Sequence, residues 1–166
     1  EFRRVLFRSI GDAYMAAGGV PEPRADAARD TVLAALDMQA FMQQRHVERV
    51  RAGLPAFQMR VGIHTGPVVA GIVGTRKFQY DIWGDTVNTA ARMESSGEVG
   101  RVNISEATYK LVVGSPLLVV GAGARAADQL TTDNRQLFTF TPRGKVAAKG
   151  KGELEMFFVS RSSAGA

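Results

Sequence analysis

Residues 80–94 read YDIWGDTVNTAARME. An apolar pair, Ile82 and Trp83, leads through Gly84 to Asp85, a residue type that favours a helix N-cap, and from Thr86 onward the spacing is helical. Asn88 and Arg92 are four apart, so both side chains leave one face of that helix. Val87, Ala90, Ala91 and Glu94 lie around the remainder, and the small residues suit close packing. Asp81 puts a carboxylate on the lead-in strand. A guanidinium supplies planar, permanently charged donors for phosphate oxygens, an amide adds a neutral donor and acceptor, and a carboxylate can accept from an exocyclic amine. Together they suit a nucleotide. Seen singly, such residues are more often a cap and a solvated helix face; their order and spacing here are more specific than that.

The 166 residues are 45% hydrophobic and 22% charged with 18 glycines, which fits one globular domain with an ordinary core. There is no cysteine, which excludes disulfides and thiolate metal sites. The longest apolar stretches, residues 116–124 and 67–73, are far shorter than a membrane span, and no secretory leader pattern is present in them. A cytoplasmic location is the expectation, whether or not a parent protein is membrane-tethered. Net charge is +5, which favours phosphate-bearing partners. The charge is uneven, with Arg3, Arg4 and Arg8 at one end and Arg143, Lys145, Lys149 and Lys151 at the other.

Residues 1–9 read as a short apolar-basic strand that runs into Ile10, Gly11, Asp12 and Ala13, the pattern of a hairpin with a carboxylate at its tip. A long helix is expected over residues 24–50, with Ala28, Val32, Ala35, Leu36, Ala40 and Val47 as its apolar stripe. Phe57, Met59, Val61 and Ile63 alternate with polar or small residues as a half-buried strand, and residues 68–73 read as a buried one. His64 reads as structural rather than as a general base, because no nucleophile or carboxylate stands at a recognisable spacing from it. Residues 101–104 form a short strand, Ser105 caps a helix with Ala107, Leu111 and Val112 inward, and residues 114–134 read as a loop or insertion. Three closing strands are expected over residues 137–141, 146–148 and 154–160, with the Lys149-Gly150-Lys151-Gly152 turn able to approach an anion.

The stretches IGDAYMA, RVGIHTGPVVAG, QYDIWGDTVNTAARMES, ISEATY and AKGKGELEMFFV resemble class III nucleotidyl cyclases. The resemblance runs from Ile10 to Val159 and implies an α+β fold on a ferredoxin-like βαββαβ core, working as a homodimer with nucleotide sites at the interface. It implies attack of a ribose 3′-hydroxyl on the α-phosphate, assisted by two Mg2+ or Mn2+ ions per complete site. By position, Asp12 resembles a metal ligand. Asp81 resembles the adenine-selecting carboxylate, with Ile82 and Trp83 beside the base. Asn88 resembles the ribose-orienting amide and Arg92 the guanidinium on the pentacovalent phosphate. Lys149 resembles the lysine on the terminal phosphates, with neighbouring Lys151 the alternative for that place. A lysine usual in base reading is replaced by Arg8.

The family's opening strand, which carries its first metal aspartate, and the helices that follow it have no counterpart in the sequence. The domain is therefore read as N-terminally truncated: residues 1–9 a prefix foreign to it, 10–160 the partial cyclase domain, 161–166 a tail. Little cyclic AMP is expected from the 166-residue chain alone. Three functions compete: an adenylyl cyclase acting on ATP, with a guanylyl cyclase as its variant; a cyclase-homology domain that binds nucleotide or a partner without turnover; and, least favoured, a nucleic-acid-binding ferredoxin-like module, since Phe57, Phe138, Phe140, Phe157 and Phe158 mostly fall at core positions.

Overall fold

A computed structural model of the chain describes residues 6–73, 79–114 and 137–162. Among them eight strands and three helices run in the order β1 (Leu6–Ile10), β2 (Ala13–Ala17), α1 (Ala27–Arg51), β3 (Val61–Ile63), β4 (Val69–Val73), β5 (Gln79–Trp83), α2 (Asp85–Ser95), β6 (Val102–Ser105), α3 (Glu106–Val113), β7 (Phe138–Ala148) and β8 (Gly152–Arg161). The fold is α+β.

The central sheet has the order β3-β6-β8-β7, with β3 parallel to β6 and the other neighbours antiparallel. Two further pairs stand as separate two-stranded sheets, the β1–β2 hairpin and β4–β5. Alternation along each central strand sends successive side chains to opposite faces, and helices cover both. Val102 and Ile104 of β6, Phe157 and Val159 of β8, and Ile63 of β3 join Val32 and Ala35 of α1 and Val112 of α3 in one core. Tyr109 of α3 stacks on Phe157 at 4.2 Å between ring centroids and meets Phe140 edge-on at 5.0 Å.

The other face belongs to α2. Met93 packs with Ala148 and Met156 in a second, smaller core. Asn103, fully buried, donates from Nδ2 to the Met93 carbonyl at 2.8 Å. Gly62 permits the closest approach: a Cβ there would lie 1.9 Å from the Glu94 backbone nitrogen and 2.4 Å from the Met93 carbonyl carbon. Only hydrogen fits between strand and helix at this point.

The structure corrects several sequence expectations, and cover on both faces accounts for the first. Residues 102–105 and 156–159 are buried without alternation. The strand expected from Phe57 is confined to Val61–Ile63, and Phe57 is 68% exposed. β4 forms but its Val69 and Ile72 are exposed; among the described strands it pairs with β5 alone. Along α1, Ala40 and Val47 face outward while Gln39 is buried; its Nε2 donates to the carbonyls of Met59 (2.9 Å) and Arg101 (3.2 Å), tying two irregular segments to the helix. On α3, Thr108 takes the inward place expected for Leu111. Two of the expected closing strands are one continuous β7, whose register shifts between Pro142 and Gly144. The loop expected over residues 114–134 lies, from 115 on, outside the described residues.

Gly62→Ala should lower unfolding stability by about 1–3 kcal/mol or more, because backbone rather than a movable side chain meets the new methyl. Gly71→Ala is the control, since its nearest neighbour is the Trp83 ring at 3.7 Å. Urea unfolding of both variants checks this; equal stabilities would contradict the close approach.

Candidate active site

β5 delivers the chain to α2. Asp81 pairs across to Gly71 and Trp83 to Val69, so Asp81 and Trp83 share a face of the ribbon while Ile82 lies on the other. Asp81 and Ile82 are buried, and Trp83 is 41% exposed. The Asp81 carboxylate is oriented by its own neighbour: Oδ1 accepts from the Ile82 N–H at 2.9 Å. Gly84, at φ 131°, turns the strand into the helix. That angle is costly for a residue with a Cβ. The N-cap position therefore falls on Gly84, and Asp85, expected as the cap, is the first helical residue. There its carboxylate complements the helix dipole.

Asn88 is exposed and Arg92 half-buried on α2, one helical turn apart. Among the described residues neither has an ion pair or side-chain hydrogen bond to another part of the protein. The start of α2 is held by Thr86, whose Oγ1 donates to the Pro67 carbonyl at 2.5 Å, and its other end by Arg60, whose Nε reaches Glu94 Oε1 at 2.8 Å. Asp81, Asn88 and Arg92 thus come from one strand-turn-helix unit fastened at both ends. Two small cavities, one of about 130 Å³ between α1 and the sheet and one of about 70 Å³ between α1 and the segments at 57–59 and 99–100, are lined by none of these three residues. Within one chain Asn88 is exposed, Arg92 half-buried and Asp81 buried.

Lys149 is exposed on the β7–β8 turn, whereas Lys151 reaches the first turn of α2, its Nζ donating to Asp85 Oδ1. Asp12 is exposed at the tip of the β1–β2 hairpin, where Gly11 has φ 62°. A carboxylate is the right ligand type for a hard divalent cation, but among the described residues no three His, Asp or Glu side chains come together as a metal cluster. The described residues do not by themselves form a two-metal site, and no step below passes through one. Arg8 pairs with Met15 in the β1–β2 ladder, and its side chain lies outside what is described.

His64 links three elements. Its Nδ1 lies 2.8 Å from Ser105 Oγ, the oxygen that caps α3 by accepting from the Thr108 N–H. Gly66 sits so close to its Nε2 and to Thr86 that a Cβ would lie 3.4 and 2.7 Å away. Burial lowers the His64 pKa, and the Lys151 charge lowers it further. The bond to Ser105 fits the structural reading of His64, with a partner too far along the chain for spacing to reveal.

The model of the "Adenylate and Guanylate cyclase catalytic domain" family matches residues 4–161. The chain belongs to this family. It is 38% identical over 149 residues to an adenylate cyclase of Mycobacterium tuberculosis, covering 90% of this chain and 28% of that protein. It is 37% identical over 151 residues to the human guanylate cyclase soluble subunit beta-2, covering 91% and 21%. Among solved structures, the guanylate cyclase domain of RhGC from Catenaria anguillulae in complex with GTP superposes with a TM-score of 0.74 at 30% identity, covering 96% of this chain and 74% of that one. The chain therefore spans roughly a quarter of the length of these curated relatives. The cyclase family's matched span includes residues 4–9, and residues 6–10 form β1. No helix among the described residues is long and apolar enough to cross a membrane.

The depressed His64 pKa makes a signed prediction. The fold favours the neutral ring, so its contribution is present above the ordinary imidazole value of about 6.5 and is lost as pH falls through the lower folded-state value. His64→Asn should therefore lose less stability than the parent between pH 7.5 and about 5, measured by urea unfolding at each pH. Parallel losses in the two proteins would contradict it.

Proposed function

We propose that the chain is the catalytic domain of an adenylyl cyclase, forming cyclic AMP and pyrophosphate from ATP at an interface between two copies. The observation that carries this is that Asp81, Asn88 and Arg92 lie on one β5-turn-α2 unit, with neither α2 side chain bonded to another side chain among the described residues. In this reading Asp81 accepts from the adenine amino group, with Ile82 and Trp83 beside the base, Asn88 orients the ribose, and Lys149 meets the terminal phosphates. Arg92 supplies fixed positive charge where negative charge develops on the α-phosphate as the 3′-oxygen attacks and pyrophosphate leaves. Alignment and charge neutralisation are the main needs of such a displacement. Mg2+ or Mn2+ belongs to the proposal, with Asp12 offered as one ligand.

The exposed apolar side chains of the β4–β5 ribbon, Val69, Ile72 and Trp83, support a second copy as cover. Exposed Asn88 and half-buried Arg92, beside buried Asp81, fit a site that one chain leaves incomplete. Guanylyl cyclase activity is the second reading, favoured by the human relative's identity and by the GTP complex of the RhGC domain. A carboxylate at Asp81 opposes the guanine carbonyl oxygen, which is the reason adenine is preferred. A nucleic-acid platform is disfavoured because Phe138, Phe157 and Phe158 of the sheet are buried.

Trp83 is the one tryptophan of the chain and a reporter for the site. With Mn2+ present, ATP should change its fluorescence at concentrations about tenfold below those GTP requires, a difference of about 1.4 kcal/mol; a GTP preference would turn the assignment to guanylyl cyclase. Arg92→Ala should keep the fold, seen by circular dichroism, and lower whatever cyclic AMP formation the parent shows by about 100- to 1000-fold. An Arg92→Ala protein as fast as its parent would overturn the role.

A further inference from the structure

The lysine-bearing turn is fastened to α2 along the whole helix. At the near end Lys151, its side chain only 21% exposed, is paired with Asp85. In the middle, Ala148 and Met156, on the two strands that flank the turn, pack on Met93. At the far end the Arg143 guanidinium donates from Nη1 to the Ser96 carbonyl at 2.7 Å. The turn itself is tight: Ala148 pairs with Gly152, the Lys151 N–H donates to the Ala148 carbonyl at 2.9 Å, and Gly150 and Gly152 have φ of 74° and 71°. A Cβ at either glycine would meet nothing within 4 Å, so backbone conformation rather than space calls for glycine there.

The two lysines of the turn therefore differ in kind. Lys151 is engaged with an acidic partner, and Lys149 is exposed. Resting on the nucleotide reading above, we infer that Asp85 and Lys151 are a positioning pair that fixes the 149–151 turn at the start of α2, and so sets Lys149 relative to Asn88 and Arg92 for the terminal phosphates of a nucleoside triphosphate. Asp85 also supplies the negative charge that the N-terminus of α2 attracts, which leaves the phosphates to the lysine turn and Arg92. Without the pair, the apolar contacts at Met93 still hold the strands, but the turn loses its tie to the helix start.

Calorimetric titration of the full chain with ATP and with AMP, Mn2+ present, tests the pair. Asp85→Asn and Lys151→Met should each weaken ATP binding about two- to fivefold, the range for a partly exposed ion pair. AMP binding should stay unchanged, the double variant should be no weaker than either single one, and Asp85→Glu should retain parental binding. Tighter ATP binding by Asp85→Asn with weaker binding by Lys151→Met would show Lys151 itself to be the phosphate ligand and overturn the inference. Equal losses for ATP and AMP, or additive single effects, would also overturn it. A parent that binds neither nucleotide would defeat the nucleotide reading instead. The pair is then read in the free chain by amide exchange at Lys151, which should quicken in Asp85→Asn; an unchanged rate would sink the pairing.

Discussion

The arrangement depends on one close contact, α2 lying against the backbone of β3 at Gly62. Helices usually rest on a sheet through side chains, at a distance set by those side chains. Here the strand offers no side chain at the crossing, and the backbone of Met93 and Glu94 occupies that space. The Asn103 amide, bonded to the Met93 carbonyl, fixes the helix along its axis, and its complete burial makes loss of that bond costly. Arg92 immediately precedes the contact. Its position is thus set by backbone rather than by a rotamer-rich interface.

The two faces of the sheet divide the work. α1 and α3 cover one, their Val32, Ala35 and Val112 packing on Val, Ile and Phe side chains of the strands in the larger core. α2 covers the other with a smaller apolar patch and several polar ties, including Asn103, Arg143 and the Arg60–Glu94 pair. Phe158, on the α2 face, lies beneath two guanidinium groups, Arg101 at 3.9 Å and Arg143 at 4.4 Å from its ring centroid. A polar layer of this kind specifies one orientation of the helix where an all-apolar one would tolerate sliding. The alignment proposed for this site would need that specificity, because small displacements of a charge donor carry large penalties in rate.

The signature stretch was the most legible part of the chain. Its strand, glycine turn and helix form as the spacing implies, with the cap moved by one residue to Gly84 because only glycine tolerates the φ needed there. The hairpin around Asp12, the long helix and the helix after Ser105 were also legible. Along β6 and β8 the pattern missed burial because alternation read along one strand assumes one covered face, and this sheet has two. Gln39, Asn103 and Thr108 are polar by type, so no apolar periodicity marks them, yet each is buried with a partner that only the tertiary fold supplies. The Lys151–Asp85 pair joins residues far apart in sequence, which spacing within a motif cannot reveal.

The central claim is that Asp81, Asn88 and Arg92 serve one purine triphosphate on the surface formed by β5 and α2. Amide chemical-shift mapping of the isotope-labelled chain, titrated with a non-reacting ATP analogue and Mg2+, tests it most directly. The account predicts shifts concentrated in residues 81–92 and at the 149–151 turn, with the amides of the α1–α3 face of the sheet unmoved. Shifts confined to that opposite face, or none at saturating analogue, would contradict it.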